Sequence, residues 1–451
     1  MAIDGTDTKM EKNKTVRTIA YDVLYEVEKN RAYANIALDK ALLHSQLNDA
    51  DCRLATEIVY GCVKMKLHLD TIIKAYCKKN KIDLRTLIIL RMALYQLIYL
   101  ERVPEHAILD ESVKLSKFLE LNTDKFINAV LRSYLRNEEV IVWPNKRKAR
   151  NQYISKWYSF PQWMVDMWVK AYGFQDTEKL CEYFNASATT WIRVNTLKAT
   201  PEEVLEKLKE LNIYAKQHTY LKQAIQISSF QNVRDSSLFK EGKIIVQDLS
   251  SMLPAYILSP QSNHRILDMC AAPGGKTTQI SAIMKNTGEV VACDIHTHRV
   301  KLIEENLTRL NVSNVNCIVS DARNLSEKYN EYFDSILLDA PCSGLGVLNR
   351  RADLRWNKRR ADIDSLVSLQ ESLLDEATKY LKPGGILIYS TCTLNKKENE
   401  EQLNVFLEKH SDFELVPFEL FGQECLEGYK TIYPFLDESD GFFVSKLQRK
   451  E

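Results

Sequence analysis

The sequence has no Cys-x-x-Cys pair, and none of its eight histidines clusters with its ten cysteines, which are scattered from Cys52 to Cys425. Zinc fingers and ribbons, whose ligands recur at short fixed spacings, are thereby excluded, and no disulfide framework is suggested. Most of the thiols read as small buried hydrophobes of an intracellular chain. Long apolar runs are missing too: TLIILRMALYQLIYL is interrupted by Arg91 and Gln96, and the opening MAIDGTDTKMEKNKT lacks the apolar stretch of a secretory signal. A soluble, cytoplasmic monomer without membrane association is expected. With a net charge of only +1, the chain has no globally basic surface, so a nucleic acid must be held by local patches. Two candidates are WPNKRKAR (143–150) and NRRADLRWNKRRAD (349–362), the second with six Arg or Lys around Trp356. Arg350, Arg351 and Arg355 are expected to meet phosphates, and Trp356 either to stack on a base or to anchor its own loop.

Glycine is almost absent between residues 15 and 140, Gly61 excepted. There the pattern is helical throughout: Val16, Ile19, Val23 and Val27 share a face, as do Leu87, Leu90, Leu94 and Leu97, and Ile127, Val130, Leu131 and Leu135 form a stripe. Pro104 ends one helix and starts another. A chain of 451 residues exceeds one ordinary core, and three segments are expected. Residues 1–142 form an all-α bundle, and residues 143–243 a basic, aromatic connector with a small α+β subdomain. In the latter TTWIRVN reads as a strand and Thr200 caps a helix with Pro201 in its first turn. Residues 244–451 alternate short apolar strands with amphipathic helices, as in a parallel, doubly wound α/β sheet whose ligands gather at the carboxyl ends of the strands.

Those strand ends carry the chemistry. RILDMCAAPGGKTTQI runs from a strand through Gly274 and Gly275 into a helix start with free N–H groups. A phosphate loop needs glycine where Cys270 stands, and the dinucleotide pattern G-x-G-x-x-G is absent, so neither phosphate-binding motif is present. The next strand ends in Asp294, placed to take ribose hydroxyls, and the third in Asp321, suited to an adenine amino group. A single aspartate is more often a turn former, but the succession of turn, carboxylate and carboxylate suits an adenosine without phosphate and points to S-adenosylmethionine.

Two cysteines follow later strands, in LLDAPCSGLGV (Cys342) and LIYSTCTL (Cys392). Methylating an amine needs little beyond positioning, whereas C5 of a pyrimidine is a poor nucleophile until a thiolate adds at C6. One cysteine must attack and the other can assist departure; Lys276 and the arginine-rich segment are candidate sources of a thiolate-favouring positive setting. Asp339 is placed to meet the amino and N3 edge of cytosine.

DMCAAPGGKTTQ, LLDAPCSGLGVLNRRADLRW and YSTCTLNKKENE resemble the Nol1/Nop2/Sun family of RNA cytosine-C5 methyltransferases, whereas amino-methylating enzymes present D-P-P-Y or N-P-P-Y in place of DAPC. The resemblance implies a Rossmann-like class I methyltransferase domain with Cys392 as nucleophile, Cys342 aiding release and Asp339 contacting the target base. It also implies a donor pocket of Cys270, Ala271, Ala272, Pro273, Gly274, Gly275, Lys276, Asp294, Asp321 and Asp339. The helical beginning, TVRTIAYDVLYEVEKNRAYANIALDKAL through KFINAVLRSYLR, resembles the NusB-type RNA-binding bundle. A cytidine of 16S ribosomal RNA, free or in a partly assembled small subunit, is the substrate so implied. A transcription or assembly factor with a vestigial catalytic domain and an amine or glutamine methyltransferase are the alternatives; intact strand-end acids and thiols count against the first, and a cysteine-independent reaction would mark the second.

Overall fold

The computed structural model describes residues 15–77, 81–137, 140–228, 233 and 235–451. The chain divides into two compact units, one reaching to Ala186 and including Leu348–Asn357, the other made of Ser187–Val347 and Lys358–Glu451.

The first unit is helical, with helices Val16–Asn30, Ala34–Leu43, Asp49–Lys64, Lys66–Tyr76, Leu84–Tyr99, Glu105–Phe118 and Asp124–Arg136. Thr15, Asn48 and Asp83 cap three of them by accepting a backbone N–H three residues on. The expected stripes face the core: Val16, Ile19, Val23, Val27, Leu90, Leu94, Ile127, Val130 and Leu131 are buried, while Leu87, Leu97 and Leu135 lie at its edge. The two residues that interrupt the longest apolar run are also buried, because each finds partners. Arg91 makes a bidentate bond to Asp70 at 2.7 and 2.8 Å and a second ion pair to Glu28 at 3.1 Å, and Gln96 donates to the carbonyl of Met92. Gly61 is required by contact, since a Cβ there would lie 1.8 Å from the Tyr95 ring. Among the described residues no helix is long and apolar enough to cross a membrane.

The stretch expected as a connector is half helix. Arg150–Tyr158 precedes the long helix Gln162–Asn185, which is interrupted at Gly173. Trp143 stacks on His68 at 4.7 Å and Trp157 meets it edge-on. Both helices lie in the same unit as the bundle.

The segment 348–357 overturns one expectation. Arg355 is fully buried, its guanidinium 3.8 Å from the centroid of the Phe160 ring and donating to the carbonyl of Phe184 (2.9 Å) and to Asn185 Oδ1 (2.8 Å), with the carbonyls of Lys64 and Ser159 at 3.2 and 3.4 Å. It is therefore not a phosphate contact. Trp356 donates its indole N–H to the carbonyl of Val63 at 2.7 Å, with the Lys66 ammonium over its ring, so it anchors its own segment. Arg351 remains exposed.

In the second unit β1 (Thr190–Val194), β2 (Ala215–Gln217), β3 (Ala224–Ile227) and β4 (Ile244–Val246) form an antiparallel sheet of order β2-β3-β1-β4. Thr200 and Glu203 make a reciprocal capping box on helix Pro201–Glu210, as read from the sequence. The larger sheet contains β5 (Arg265–Asp268), β6 (Glu289–Asp294), β7 (Val315–Val319), β8 (Phe333–Asp339) and β9 (Leu381–Thr391), parallel in the order β7-β6-β5-β8-β9. It is mixed rather than purely parallel. Of β10 (Phe413–Leu415), β11 (Phe418–Leu420), β12 (Gln423–Cys425), β13 (Tyr429–Ile432) and β14 (Phe442–Arg449), β14 runs antiparallel beside β9 and pairs with β10 and β13. β11 and β12 form a separate ribbon. The strand order reverses at β5, so the crevice opens at the carboxyl ends of β5 and β8.

Candidate active site

β5 delivers Asp268, and the next residues turn sharply. Ala271 donates its N–H to the carbonyl of Cys293, the Ala272–Pro273 peptide is cis, and Gly274 (φ +94°) caps helix Gly275–Ile283. Only glycine suits that cap, because φ lies in the left-handed region and a Cβ would meet Ile303 at 3.1 Å. The helix start then carries Lys276 to Asp339 at the end of β8, Nζ to Oδ2 2.6 Å. Burial disfavours the Lys276 charge, but the Asp339 carboxylate outweighs it and the ammonium is held above its ordinary pKa. Asp339 Oδ1 also accepts from Ser390 at 2.8 Å, so this carboxylate joins β8, β9 and the loop Cys270–Lys276.

Just beyond, the two sulfurs meet: Cys342 Sγ and Cys392 Sγ are 3.2 Å apart. They do so because β8 and β9 are adjacent and parallel, with Asp339 opposite Ser390, which places the residues following each strand side by side. The hydrogen bond with Cys392 is the first cause, and burial the second, that pushes the Cys342 thiol well above the ordinary range, with the charges of Glu398 and Asp339 adding to it. The positive setting expected of the arginine-rich segment does not include Arg355, and Lys276 is committed first to Asp339.

Asp294, at the end of β6, is buried; it accepts the backbone N–H of His296 and faces Arg299 at 3.2 Å. Asp321, two residues past β7, is more open and pairs with Arg323 at 2.6 Å, which holds its carboxyl below the usual range. The fold thus brings Cys270–Lys276, Asp294, Asp339, Cys342 and Cys392 to neighbouring strand ends, with Asp321 one strand farther out.

Sequence reasoning missed Asp268, although it stands in LDMC at the end of a strand. Its Oδ2 accepts from Thr277 at 2.7 Å, whereas its Oδ1 is buried without a hydrogen-bond partner. Such an acceptor suits the ammonium or hydroxyl donors of a methyl donor lacking phosphate. Burial pushes its pKa up to about 7, moderated by the Thr277 hydroxyl. A carboxyl raised on folding contributes stability that is fully present below its unfolded pKa and is lost as pH rises through the folded value. Asp268→Asn should therefore gain on the unliganded wild type between about pH 4 and 7, by at most ~4 kcal/mol at ~1.4 kcal/mol per pKa unit. Melting curves of both proteins across that range check this; parallel pH profiles would reject it.

Three family models match: 16S rRNA methyltransferase RsmB/F over residues 255–448, the NusB family over 14–136, and the RsmF/B-like ferredoxin-like domain over 160–234. The chain is 36% identical to the probable ribosomal RNA small subunit methyltransferase B of Bacillus subtilis (strain 168), across 97% of this chain and all of that one. The crystal structure of PH0851 superposes with a TM-score of 0.80 at 29% identity, covering 96% of this chain and 98% of that one. NSun6 from Pyrococcus horikoshii, crystallised with SFG, gives 0.60 at 25% identity over 65% and 99%. The bundle, the small antiparallel sheet and the mixed methyltransferase sheet each have their counterpart in these families, and identity of this level over the full length of both chains means that this chain belongs to the ribosomal RNA small subunit methyltransferase B family.

Proposed function

We propose that the protein methylates C5 of a cytidine in 16S ribosomal RNA through a transient bond between Cys392 and C6 of the base. The observation that carries this reading is the pair of thiols 3.2 Å apart, flanked by a carboxylate that is itself tied to the donor loop. S-adenosylmethionine is the methyl donor, and supplies an electrophilic methyl on a sulfonium. The loop Cys270–Lys276 with Asp268 would hold its amino-acid end, Asp294 its ribose hydroxyls and Asp321 its adenine amino group.

The chain's own residues account for the rest. Asp339 has two lone-pair directions left after Lys276 and Ser390, enough to accept from the cytosine amino group. The Cys392 thiolate adds to C6, and the C5–C6 π electrons become the nucleophilic pair on C5. After C5 has been alkylated, its proton passes to a solvent water, the C5–H electron pair re-forms the C5–C6 double bond, and the carbon–sulfur bond breaks with its electrons returning to the Cys392 sulfur. Cys342, whose sulfur lies in hydrogen-bond contact with that of Cys392, stabilises the departing thiolate. Cys342→Ala should therefore attack RNA but release it slowly. Incubated with 16S RNA or small-subunit particles and donor, it should accumulate a protein–RNA adduct that survives denaturing electrophoresis. Turnover at the wild-type rate without adduct would overturn the covalent route.

A further inference from the structure

Beneath the sulfurs lies a buried polar cluster that the reaction as written does not use. Glu398 is fully buried, and its carboxylate collects four donors: the Ser343 backbone N–H at 2.8 Å, the Ser343 hydroxyl at 2.6 Å, Asn395 Nδ2 at 2.9 Å and Gln370 Nε2 at 3.1 Å. Gln370 also donates to the carbonyl of Pro341 at 2.9 Å. The residues on both sides of Cys342 are thus fixed from below. Because the single Ser343 hydroxyl proton goes to Glu398, the contact of 2.7 Å between Ser343 Oγ and Thr393 Oγ1 is donated by Thr393, the residue after Cys392. Asn399 completes the frame, accepting from Thr391 at 2.6 Å and donating to the carbonyl of Thr393 at 2.9 Å. Ser343, Thr391, Thr393 and Asn399 are all fully buried.

We propose that Glu398 is a positioning residue which, through Ser343 and Thr393, locks the two cysteine-bearing turns together and so holds the sulfur of Cys342 against that of Cys392. The role rests on the covalent reading above. Neither sulfur is touched by Glu398 itself; it acts through the residue following each cysteine. Buried donors tolerate no loose acceptor, so the carboxylate also determines where the Ser343 N–H, and with it the Cys342 turn, must sit.

Three variants test this. Glu398→Ala strips four donors of their acceptor, Thr393→Val removes only the bridging hydroxyl at equal shape, and Glu398→Gln keeps one carbonyl oxygen and lets the Ser343 hydroxyl reverse. The first readout needs no RNA. Phenylarsine oxide bridges two neighbouring thiols, forming two arsenic–sulfur bonds and releasing water, and the part of its reaction lost in Cys342→Ala and Cys392→Ala reports on this pair. Bridging should slow by about tenfold or more in Thr393→Val and Glu398→Ala, the scale of an ångström-level misplacement, and recover substantially in Glu398→Gln. The second readout is the lifetime of the RNA adduct, which should lengthen in the same order, as in Cys342→Ala. If Glu398→Ala does not fold, Thr393→Val still decides. Wild-type bridging and wild-type adduct lifetime in Thr393→Val would overturn the proposal. Should Cys342→Ala trap no RNA, the covalent reading falls, while the arsenical measurement still judges whether Glu398 sets the thiol pair.

Discussion

Cys392→Ala should transfer no methyl group to 16S RNA and form no adduct, a fall of ~10³-fold or more, because the residue acts as a unit with the groups that serve it. The size follows from the acceptor. A ring carbon without the added sulfur has no electron pair to offer, and positioning by Asp339 cannot supply one. The loss should be confined to chemistry: Cys392 is half-buried at the end of β9, and deleting one sulfur there leaves the strand pairing and the Thr391 and Thr393 anchors in place. Donor affinity and melting temperature should stay close to wild type. Measuring methyl incorporation, adduct and melting together separates a missing nucleophile from a damaged fold. Normal turnover by this variant would move the reaction to another acceptor atom, where no thiol is needed.

The largest expected effect on stability belongs to Arg355. Arg355→Ala should destabilise the helical unit by ~2–5 kcal/mol, since it leaves a cavity in a fully buried site and strips the Phe184 carbonyl and Asn185 Oδ1 of their donor. The stacking on Phe160 goes with it. Five of the six tryptophans lie in that unit, so denaturant melts followed by their fluorescence report on it directly. A phosphate-binding arginine behaves otherwise: its removal weakens RNA binding, lowers the salt slope and leaves the melting curve alone. An unchanged midpoint would return Arg355 to the RNA face.

Much of the site was legible because parallel strands announce their carboxyl ends. Asp294, Asp321, Asp339, Cys342 and Cys392 each follow a short apolar run, and the doubly wound order gathers such ends along one edge. Helix faces were legible for a similar reason, as the stripe through Val16, Ile19, Val23 and Val27 shows. What stayed hidden depends on partners distant in sequence. Arg355 sits in a basic run that reads as a phosphate-binding patch until the carbonyls of Lys64, Ser159 and Phe184 close around it. Glu398, in KKENE, has the look of an exposed helix start, and only the meeting of two turns fifty residues apart buries it. Strands β10 to β13 are three or four residues long, too short for alternation to show.

The ten residues from Leu348 to Asn357 have a practical consequence for anyone who would divide this protein with a restriction site or a protease. No single cut yields two intact halves: a piece stopping at Ala186 leaves Phe160, Phe184 and Asn185 facing an empty slot, and the remainder carries a charged plug with nowhere to go. Co-expression of the halves, or circular rearrangement that keeps the plug beside its slot, is the way to study either one alone.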